Sequence, residues 1–573
     1  MRLIDTSTGI LKEFIGSNVP TYAILSHTWE DDEITYKDYI KGRNQLRKGY
    51  EKITQTCRLA RENDIAYAWI DTCCIDKSSS AELSEAINSM YLWYERAIQC
   101  YVFLSDLGVD TELKSALPRC RWFTRGWTLQ ELIANRTVTF FDSKWNHRGT
   151  KLDLARHLAE ITLIDEDVMK GNANLSDFCV ATKMSWAAKR STTRIEDRAY
   201  CLLGLFEVNM PLLYGEGEKA FQRLQEEIIR STPDFSIFAW TKPACSRPDY
   251  IQRHRIYCGI LATSPSDFSR RPYAGRGTLK QEDFNAYEFA LSNFGLRTRA
   301  HIESHQTDWG GYSYVLPLQN LTRRHSANGL TLGVRLRKCG PDIFVREDPW
   351  ALFHGPKGAP NAPRERYYLT SISKAEQRCA TFTDDLFIEK SRKYALQVQR
   401  PPEVDLYDAW PGSRYDDEDQ LFFAEQSICD CCMMRLWVKF QVRVGRRDVV
   451  VDFECVFYAV GWSSESADDI QCTLFEYEAN SKSVNELQAQ IAQWDHDRDG
   501  VIGQLIYYHI PKQKAFVFNI PDTMYSVYVS YQLTPTPLRM TSPRISSWTV
   551  KFSTETYETA NMPLIDRGQW GKA

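Results

Sequence analysis

The chain has 573 residues, and its 70 Lys and Arg residues nearly balance its 74 Asp and Glu residues, which leaves a net charge of −4 at pH 7. With 43% hydrophobic and 25% charged residues it has the composition of a globular protein, which argues against wholesale disorder. The length corresponds to roughly two to four domains. The near-neutral charge gives no electrostatic reason to expect nucleic-acid wrapping or a polybasic membrane anchor.

The first residues and the cysteines predict a cytoplasmic protein. Residues 1–5 introduce charge at once, unlike a secretory signal, and no apolar run approaches the ~18 residues that a transmembrane helix needs. The 16 cysteines are irregularly spaced, and in such a chain we expect reduced thiols, many of them buried. Neither nucleic acid nor membrane is expected among the partners.

Residues 1–150 alternate short apolar runs with helical patterns, the order expected of an α/β domain with a mostly parallel sheet. The predicted strands are residues 22–26, 66–70, 100–104 and 137–141. Apolar residues recur at steps of three and four from Leu46 to Ala60 and from Leu83 to Ala97, which predicts two helices between the strands. Residues 125–134 are a third predicted helix.

The rest of the chain divides into two parts with different sequence patterns. Residues 151–235 read as helical throughout, which predicts a helical extension packed on the α/β domain. Residues 236–573 are strand-like, with apolar and polar residues alternating at 438–444, 525–533 and 548–552. We expect an all-β C-terminal region built as one or two β-sandwiches.

Polar clusters follow the predicted strands, at the carboxyl ends where an α/β domain binds its ligands. They are residues 26–30, 71–77, 105–106 and 125–131. In the last cluster Trp127 and Glu131 are four residues apart on a predicted helix, so both project from one face. An aromatic plane beside a carboxylate suits a nucleoside-like substrate, because the ring can stack while the acid binds hydroxyl groups.

Each cluster alone also fits a structural role. A Trp and a Glu at helical spacing are more often a packing residue with an exposed neighbour. A Ser or His at a strand end is more often a turn former or a helix cap.

Three of these blocks together resemble the HET (heterokaryon incompatibility) domain of filamentous fungi. They are residues 22–29 (YAILSHTW), 69–76 (WIDTCCID) and 125–131 (RGWTLQE), in the order found in that family. The resemblance covers roughly residues 20–135, and the segment 198–217 is similar to what commonly follows the domain.

The resemblance implies a function in cell death. HET proteins trigger programmed cell death when incompatible fungal cells fuse, and some act in wider fungal immunity. The HET domain is regarded as a distant relative of the TIR domain, which implies a TIR-like, flavodoxin-like open parallel sheet. Several TIR domains cleave NAD+ at the nicotinamide–ribose bond with one glutamate in a Trp-x-x-x-Glu pattern, which residues 127–131 fit.

The resemblance therefore implies an NAD+ glycohydrolase that needs no bound cofactor and no metal, with NAD+ as substrate and Glu131 as the catalytic residue. Trp127 would line the ribose–nicotinamide pocket, and Arg125 would pair with a phosphate. The strand-end positions add further substrate-binding candidates, namely Ser26, His27 and Trp29 on the opposite side of the pocket and Asp71 as a hydroxyl acceptor.

A different function remains open. The same domain would also suit a non-catalytic adaptor that self-associates and recruits partners. In either case we expect a homo-oligomer, because TIR enzymes often complete their pocket with a neighbouring chain; an incompatibility or immune-receptor partner is also open. A lectin or peptide binder would rest on the β-rich region alone and leave the three blocks unexplained.

Other motifs in the sequence are discounted. A nucleophilic thiol at Cys73 or Cys74, with His27 as base, is the lesser alternative to Glu131. Residues 495–500 resemble the start of a calcium-binding loop, but the loop lacks the bidentate Glu that would complete it. The cysteines at 429–432 could bind a metal, but no second Cys/His pair lies at the spacing of a zinc site.

Overall fold

The computed structural model describes residues 1–16, 18–42, 47–243 and 257–270 and, beyond residue 288, the strands given below with a few flanking positions. Side chains are not described in strands that begin after residue 369. Residues 495–500, which resemble the start of a calcium-binding loop, lie outside the described residues, as do Cys429 and Asp430.

A seven-stranded sheet forms the N-terminal part, in the order β2-β1-β4-β3-β5-β6-β7. The four central strands, β4-β3-β5-β6, are parallel to one another. Every residue of β3 is buried, as expected of a central parallel strand that is covered on both faces. The strands are β1 (Arg2–Asp5), β2 (Leu11–Glu13), β3 (Ala23–His27), β4 (Tyr67–Trp69), β5 (Gln99–Phe103), β6 (Val138–Phe141) and β7 (His147–Thr150).

The predicted open parallel sheet is therefore a mixed sheet. β1 and β2 form an antiparallel hairpin, β1 also pairs antiparallel with β4, and β7 pairs antiparallel with β6. The connections between β1 and β2 and between β6 and β7 span only residues 6–10 and 142–146. Such short links permit antiparallel pairing alone, because a parallel neighbour needs a crossover of a dozen or more residues.

Helices connect the parallel strands and continue into the annex, the helical extension at 151–235. The α-helices are α1 (Tyr36–Ile40), α2 (Lys48–Glu62), α3 (Ser80–Arg96), α4 (Leu113–Ala116), α5 (Thr128–Ala134), α6 (Ala155–Thr162), α7 (Glu166–Met169), α8 (Val180–Ala187), α9 (Asp197–Tyr200) and α10 (Lys219–Ser231). Single 3-10 turns occur at Leu117–Arg119, Arg121–Thr124, Leu175–Asp177, Gly204–Phe206, Phe235–Phe238 and Pro265–Phe268. The predicted helices at 46–60, 83–97 and 125–134 correspond to α2, α3 and α5.

The annex packs directly on the sheet-covering helices. Gly204 lies so close to α3 that a Cβ atom there would be 2.0 Å from Cβ of Tyr91. Only glycine permits that approach. Buried residues of the sheet, the annex and the first β-rich segments form one continuous hydrophobic core. The annex is less regular than its sequence pattern indicated, because long turns separate its short helices.

The C-terminal part consists of mostly antiparallel sheets, with parallel pairing between β14 and β17 and between β18 and β27. The segments 438–444, 525–533 and 548–552 lie in β22, β26 and β27, which confirms those predicted strands. The assembly of these sheets into sandwiches stays a prediction. The strands are β8 (Tyr257–Cys258), β9 (Phe289–Ser292), β10 (Gly295–Thr298), β11 (Glu303–Gln306), β12 (Tyr312–Pro317), β13 (Leu330–Gly340), β14 (Ile343–Glu347), β15 (Phe353–Pro356), β16 (Ala359–Pro360), β17 (Tyr367–Leu369), β18 (Ala395–Gln399), β19 (Val404–Trp410), β20 (Tyr415–Asp416), β21 (Leu421–Phe423), β22 (Cys431–Val444), β23 (Arg447–Val460), β24 (Ile470–Glu476), β25 (Gln513–Asn519), β26 (Tyr525–Pro535) and β27 (Trp548–Glu558).

Two further features concern the described residues. None of the helices in the described segments has both the length and the apolar character needed to cross a membrane. The cysteines whose side chains are described are all buried and form no disulfide with one another.

Candidate functional site

The strand-end clusters meet at the middle of the N-terminal sheet. β3 lies between β4 and β5, and its last residue, His27, pairs in register with Phe103 of β5. Along the chain, the connection from β3 leads to β4 on one side, and the next connection crosses to β5 on the other. In open α/β sheets ligands bind outside the carboxyl ends of the strands at such a reversal. The ends of β3 and β5 are therefore the expected ligand crevice.

Glu131 lies beside the end of β3 in a chain of hydrogen bonds. Ser26 near the end of β3 donates its hydroxyl proton to Oε2 of Glu131. The buried indole of Trp122 in turn donates Nε1–H to Ser26 Oγ over 2.8 Å. The Tyr94 hydroxyl, which donates to the Leu25 carbonyl oxygen over 3.0 Å, also lies within hydrogen-bonding reach of Glu131. The carboxyl group is thus fixed in place from two elements, β3 and α3.

Burial raises the pKa of the Glu131 carboxyl to about 7, because its charged form loses contact with water. The Ser26 hydrogen bond and the positive charge of Arg125 oppose this rise, and the negative charge of Asp71 adds to it. At neutral pH the carboxyl is therefore near the midpoint between its protonated and ionised forms. A carboxyl group that titrates there is suited to proton transfer or to stabilising a developing positive charge.

His27 and Trp29 both lie against Asp71 at the end of β4. The Trp29 indole donates Nε1–H to Asp71 Oδ2 over 2.9 Å, and His27 Nδ1 is 4.0 Å from Asp71 Oδ1. The Nζ atom of Lys77 lies 3.3 Å from the centroid of the Trp29 ring, so a cation covers one face of this indole. Trp29 is 40% exposed, which leaves it at the surface of the site.

The buried Lys52 and the half-buried Glu33 belong to the same crevice, and sequence reasoning missed them. Lys52 of α2 donates to Glu33 and, over 3.2 Å, to the Thr28 carbonyl oxygen. Glu33 Oε2 is 3.6 Å from His27 Nε2. Burial alone would raise the pKa of Glu33, but His27 and Lys52 lower it to about 2. Both residues lie outside the three blocks that resemble the HET domain. The one available sequence signal was Lys52, which lies next to the apolar stripe of α2.

Arg125 and Trp127 occupy different surroundings. Arg125 is partly exposed, and its charge acts on the Glu131 carboxyl. Trp127 instead faces the annex, where burial raises the pKa of Asp197 and hydrogen bonds from Tyr214 and Trp127 oppose that rise. Trp127 and Glu131 are four residues apart, but the Trp127 indole N–H donates to Asp197 and not to the Glu131 carboxyl.

The structure thus brings most of the predicted site residues together. The assembled group consists of Ser26, His27, Trp29, Asp71 and Glu131, with Arg125 as a charged neighbour. The group is nearly closed at its base, since Ser26 is fully buried and Glu131 is 8% exposed. A substrate that reaches the Glu131 carboxyl requires movement of the side chains around it.

The thiol alternative is disfavoured by burial. Cys73 and Cys74 are both buried, and burial raises the pKa of the Cys73 thiol well above its usual range. A thiol held in its protonated form is a poor nucleophile. Among the described residues, no group of three or more His, Cys, Asp or Glu side chains is placed to hold a metal ion.

The fold and this group of side chains define an α/β protein with a polar site at the carboxyl ends of parallel strands. Comparison with known families assigns that domain: residues 22–118 match the family model "Heterokaryon incompatibility protein (HET)". This part of the chain is therefore similar to the HET domain. Arg125, Trp127 and Glu131 lie just beyond the matched range. A second model, "Domain of unknown function (DUF8212)", matches residues 219–302.

One curated relative is similar over part of the chain. It is the vegetative incompatibility protein HET-E-1 of Podospora anserina, 46% identical over 227 residues. The match covers 38% of this chain and 17% of the relative, so the chain spans only a small part of the relative's length. No solved structure matches the chain.

Proposed function

We propose that this protein is a fungal incompatibility effector that causes cell death by hydrolysing NAD+ at the nicotinamide–ribose bond. The HET-domain match and the name of the relative support the incompatibility role. The Trp-x-x-x-Glu pattern shared with TIR enzymes supports the reaction. The parallel strand order β4-β3-β5-β6 supports a TIR-like, flavodoxin-like fold, because flavodoxin-like sheets have the order 2-1-3-4-5.

One carboxyl group is sufficient to catalyse this reaction. Ordinary glycosidases use two carboxyl groups because an alkoxide leaving group must be protonated. In NAD+ the C1′–N bond breaks with its electron pair moving to the positively charged nitrogen, so nicotinamide leaves as a neutral molecule without a proton donor. Water then adds to C1′ and releases a proton to solvent. The protein has to stabilise the oxocarbenium-like ribose, and one ionised carboxylate does this.

Glu131 is the carboxylate we assign to that step. Ser26 positions it, while Asp71 accepts hydrogen bonds from ribose hydroxyls and Arg125 pairs with a phosphate. His27 and Trp29 complete the opposite side of the pocket, and Trp127 forms the wall next to the annex. The observation that carries the proposal is the placement of a buried carboxyl group of pKa about 7 beside the end of the central strand.

The proposal is tested with Glu131→Gln, which removes the charge and keeps the shape. Purified wild type incubated with NAD+ should release nicotinamide together with ADP-ribose, or with cyclic ADP-ribose where the adenine ring attacks C1′ in place of water. Chromatography detects these products, and the variant should release none of them. Glu95→Gln, at an exposed position of α3, removes the same charge and should behave as wild type. Full NAD+ turnover by a folded Glu131→Gln protein would contradict the assignment.

The near-closure of the site favours a second candidate, a non-catalytic adaptor that self-associates through the HET domain. A carboxyl group that is only 8% exposed can serve as part of a buried hydrogen-bond network. On this alternative, concentrated wild-type protein releases no nicotinamide, and Glu131→Gln retains cell-death activity in the fungus. The same pair of proteins therefore decides between the two functions.

A further inference from the structure

A pocket opens beside the loop that precedes α5, on the side of the annex. It is a small, partly open cleft lined by Gly126 of that loop, by annex residues between 187 and 201, and by the turn at 264–266, and the empty space in it and in front of it totals about 270 Å³. Its polar side chains are guanidinium and hydroxyl groups, from Arg190, Arg198, Thr192, Ser264 and Ser266. None of the described lining residues carries a carboxylate.

Arg190 is the charged group at the inner side of this pocket. Its Nη1 donates to the Arg125 carbonyl oxygen over 2.9 Å and to Thr128 Oγ1 over 2.8 Å. Its Nη2 is buried, and no described atom accepts a hydrogen bond from it. A buried donor of a charged group that lacks an acceptor is costly. A bound anion would supply the missing acceptor for Nη2 in a charge-assisted hydrogen bond.

The pocket adjoins the site around Glu131. Thr128, whose Oγ1 accepts a hydrogen bond from Arg190, lies in the first turn of α5, and Glu131 follows one turn later. Burial lowers the pKa of Arg190 to about 10, and the negative charge of Glu131 is among the influences that oppose this fall. Gly126 brings the loop before α5 into close contact with the annex, since a Cβ atom there would be 2.5 Å from Cγ2 of Thr192. A ligand with its ribose at Glu131 therefore has this pocket within reach of the phosphates on that ribose.

We propose that this pocket binds a phosphate group of the dinucleotide substrate, with Arg190 and Arg198 as its charged ligands. The inference rests on the proposed function and deepens it, because it assigns where the phosphates of NAD+ bind. Next to the two arginines, the Ser264 hydroxyl can donate to an anion, whereas Thr192 donates its proton to the Arg194 carbonyl oxygen over 2.6 Å and Ser266 donates to Ser264 Oγ over 3.0 Å. Ser264 and Ser266 lie within the range of the second family match, so that region contributes directly to the substrate site.

The test uses the full-length protein and ligands that are not hydrolysed. Calorimetric titrations with ADP-ribose, inorganic pyrophosphate and adenosine are compared for wild type, Arg198→Ala and Lys189→Ala. Arg198 is exposed, so its replacement leaves the core intact, and Lys189 is an exposed neighbour of equal charge outside the pocket lining. We expect Arg198→Ala to weaken ADP-ribose and pyrophosphate binding about tenfold, the value of a charged hydrogen bond. Lys189→Ala should change affinity by less than about twofold, and Arg198→Lys should fall between.

Every outcome bears on the proposal. Equal affinities for ADP-ribose in Arg198→Ala and Lys189→Ala overturn it, as does wild type that binds adenosine as tightly as ADP-ribose. Pyrophosphate binding without ADP-ribose binding would identify a site for a free anion and also overturn it. Absence of nicotinamide release from NAD+ by concentrated wild type would remove the proposed function while leaving the Arg198 effect on ADP-ribose intact, so the two failures are distinguishable.

Discussion

Glu131 shows how burial and charge oppose each other at a single residue. The protonated form of its carboxyl suits the buried position, whereas the proposed chemistry requires the ionised form. Ser26 donates one hydrogen bond that favours ionisation, but burial outweighs it and the pKa rises to about 7. The folded protein therefore carries a carboxyl group that is only partly ionised at neutral pH, and this has consequences for stability and for activity.

The stability of wild type relative to Glu131→Gln should depend on pH. The folded pKa of about 7 exceeds the ordinary value of 4.5, so the protonated carboxyl favours folding below pH 4.5, and this contribution is lost as the pH rises through 7. Glu131→Gln has no such loss. Chemical denaturation at pH 4.5 and pH 8 should show the variant gaining about 3 kcal/mol relative to wild type. A difference between the two proteins that stays constant with pH would show that folding does not raise the pKa of this carboxyl group.

Ser26→Ala should shift the pH dependence of NAD+ hydrolysis. Wild-type activity should rise with pH through about 7 as Glu131 ionises. Without the Ser26 hydroxyl the carboxylate loses a donor, so the midpoint should move to higher pH. The variant should also be less stable by about 1–3 kcal/mol, because the buried Trp122 indole loses its acceptor. The control is Ser231→Ala at the end of α10, and an unchanged midpoint in Ser26→Ala would contradict the positioning role.

At the scale of the element, α5 is a short helix fixed by its surroundings. All seven of its residues, Thr128–Ala134, are buried, and no side chain caps its N-terminus. Its first turn is held by Arg190, and its C-terminus by Asn135, whose Nδ2 donates to the carbonyl oxygens of Tyr94 and Ala97 over 2.7 Å each. Contacts with the annex and with α3 therefore set the position of Glu131.

Asn135→Ala should destabilise the protein and displace α5. The substitution leaves two buried carbonyl groups without donors and removes the acceptor of the Thr137 backbone N–H, 2.7 Å away. We expect a loss of about 3 kcal/mol in the free energy of unfolding. Asn135→Asp should cost more, because it places a carboxylate against two carbonyl oxygens. Denaturant titration measures both, and a loss below about 1 kcal/mol for either variant would show that Asn135 does not fix this helix end.

At the scale of the whole molecule, the annex links the α/β sheet to the β-rich region. Gln225 of α10 exchanges two hydrogen bonds with the backbone of Ala262, of 2.8 and 2.9 Å. The buried Arg346 of β14 donates to the Phe238 carbonyl oxygen over 2.8 Å and lies over the Trp240 ring. A change in the β-rich region therefore has a direct structural route to the annex, which contacts α5.

Activity should depend on protein concentration. The Glu131 carboxyl is nearly closed off in the single chain, and assembly of protomers is the event we expect to open or complete the site. NAD+ turnover per protomer should rise with concentration and follow the mass measured by light scattering. Turnover per protomer that is constant across a wide dilution series would contradict an oligomeric active form.

Much of the N-terminal fold was predictable because its signals are local. The runs around β3, β5 and β6 are mostly apolar, and the helices between them repeat with helical period, so strand and helix follow from short-range patterns. The antiparallel edges were missed because the prediction followed the strong central strands and left the short hairpin of β1 and β2 unassigned. The Glu33–Lys52 pair was missed because a contact between residues 19 positions apart has no periodic signal.

The sequence by itself predicted an α/β domain that resembles the HET domain over roughly residues 20–135, and it placed Ser26 and Asp71 at strand ends and Glu131 in a helix. Those features depend on neighbouring residues in the chain, which fix backbone conformation directly. Only the tertiary structure decided that Ser26 binds Glu131 across 105 positions, that the carboxyl is buried with a raised pKa, and that Trp127 faces Asp197. Burial and side-chain pairing depend on how segments that are distant in the chain pack together. Local sequence patterns do not predict that packing.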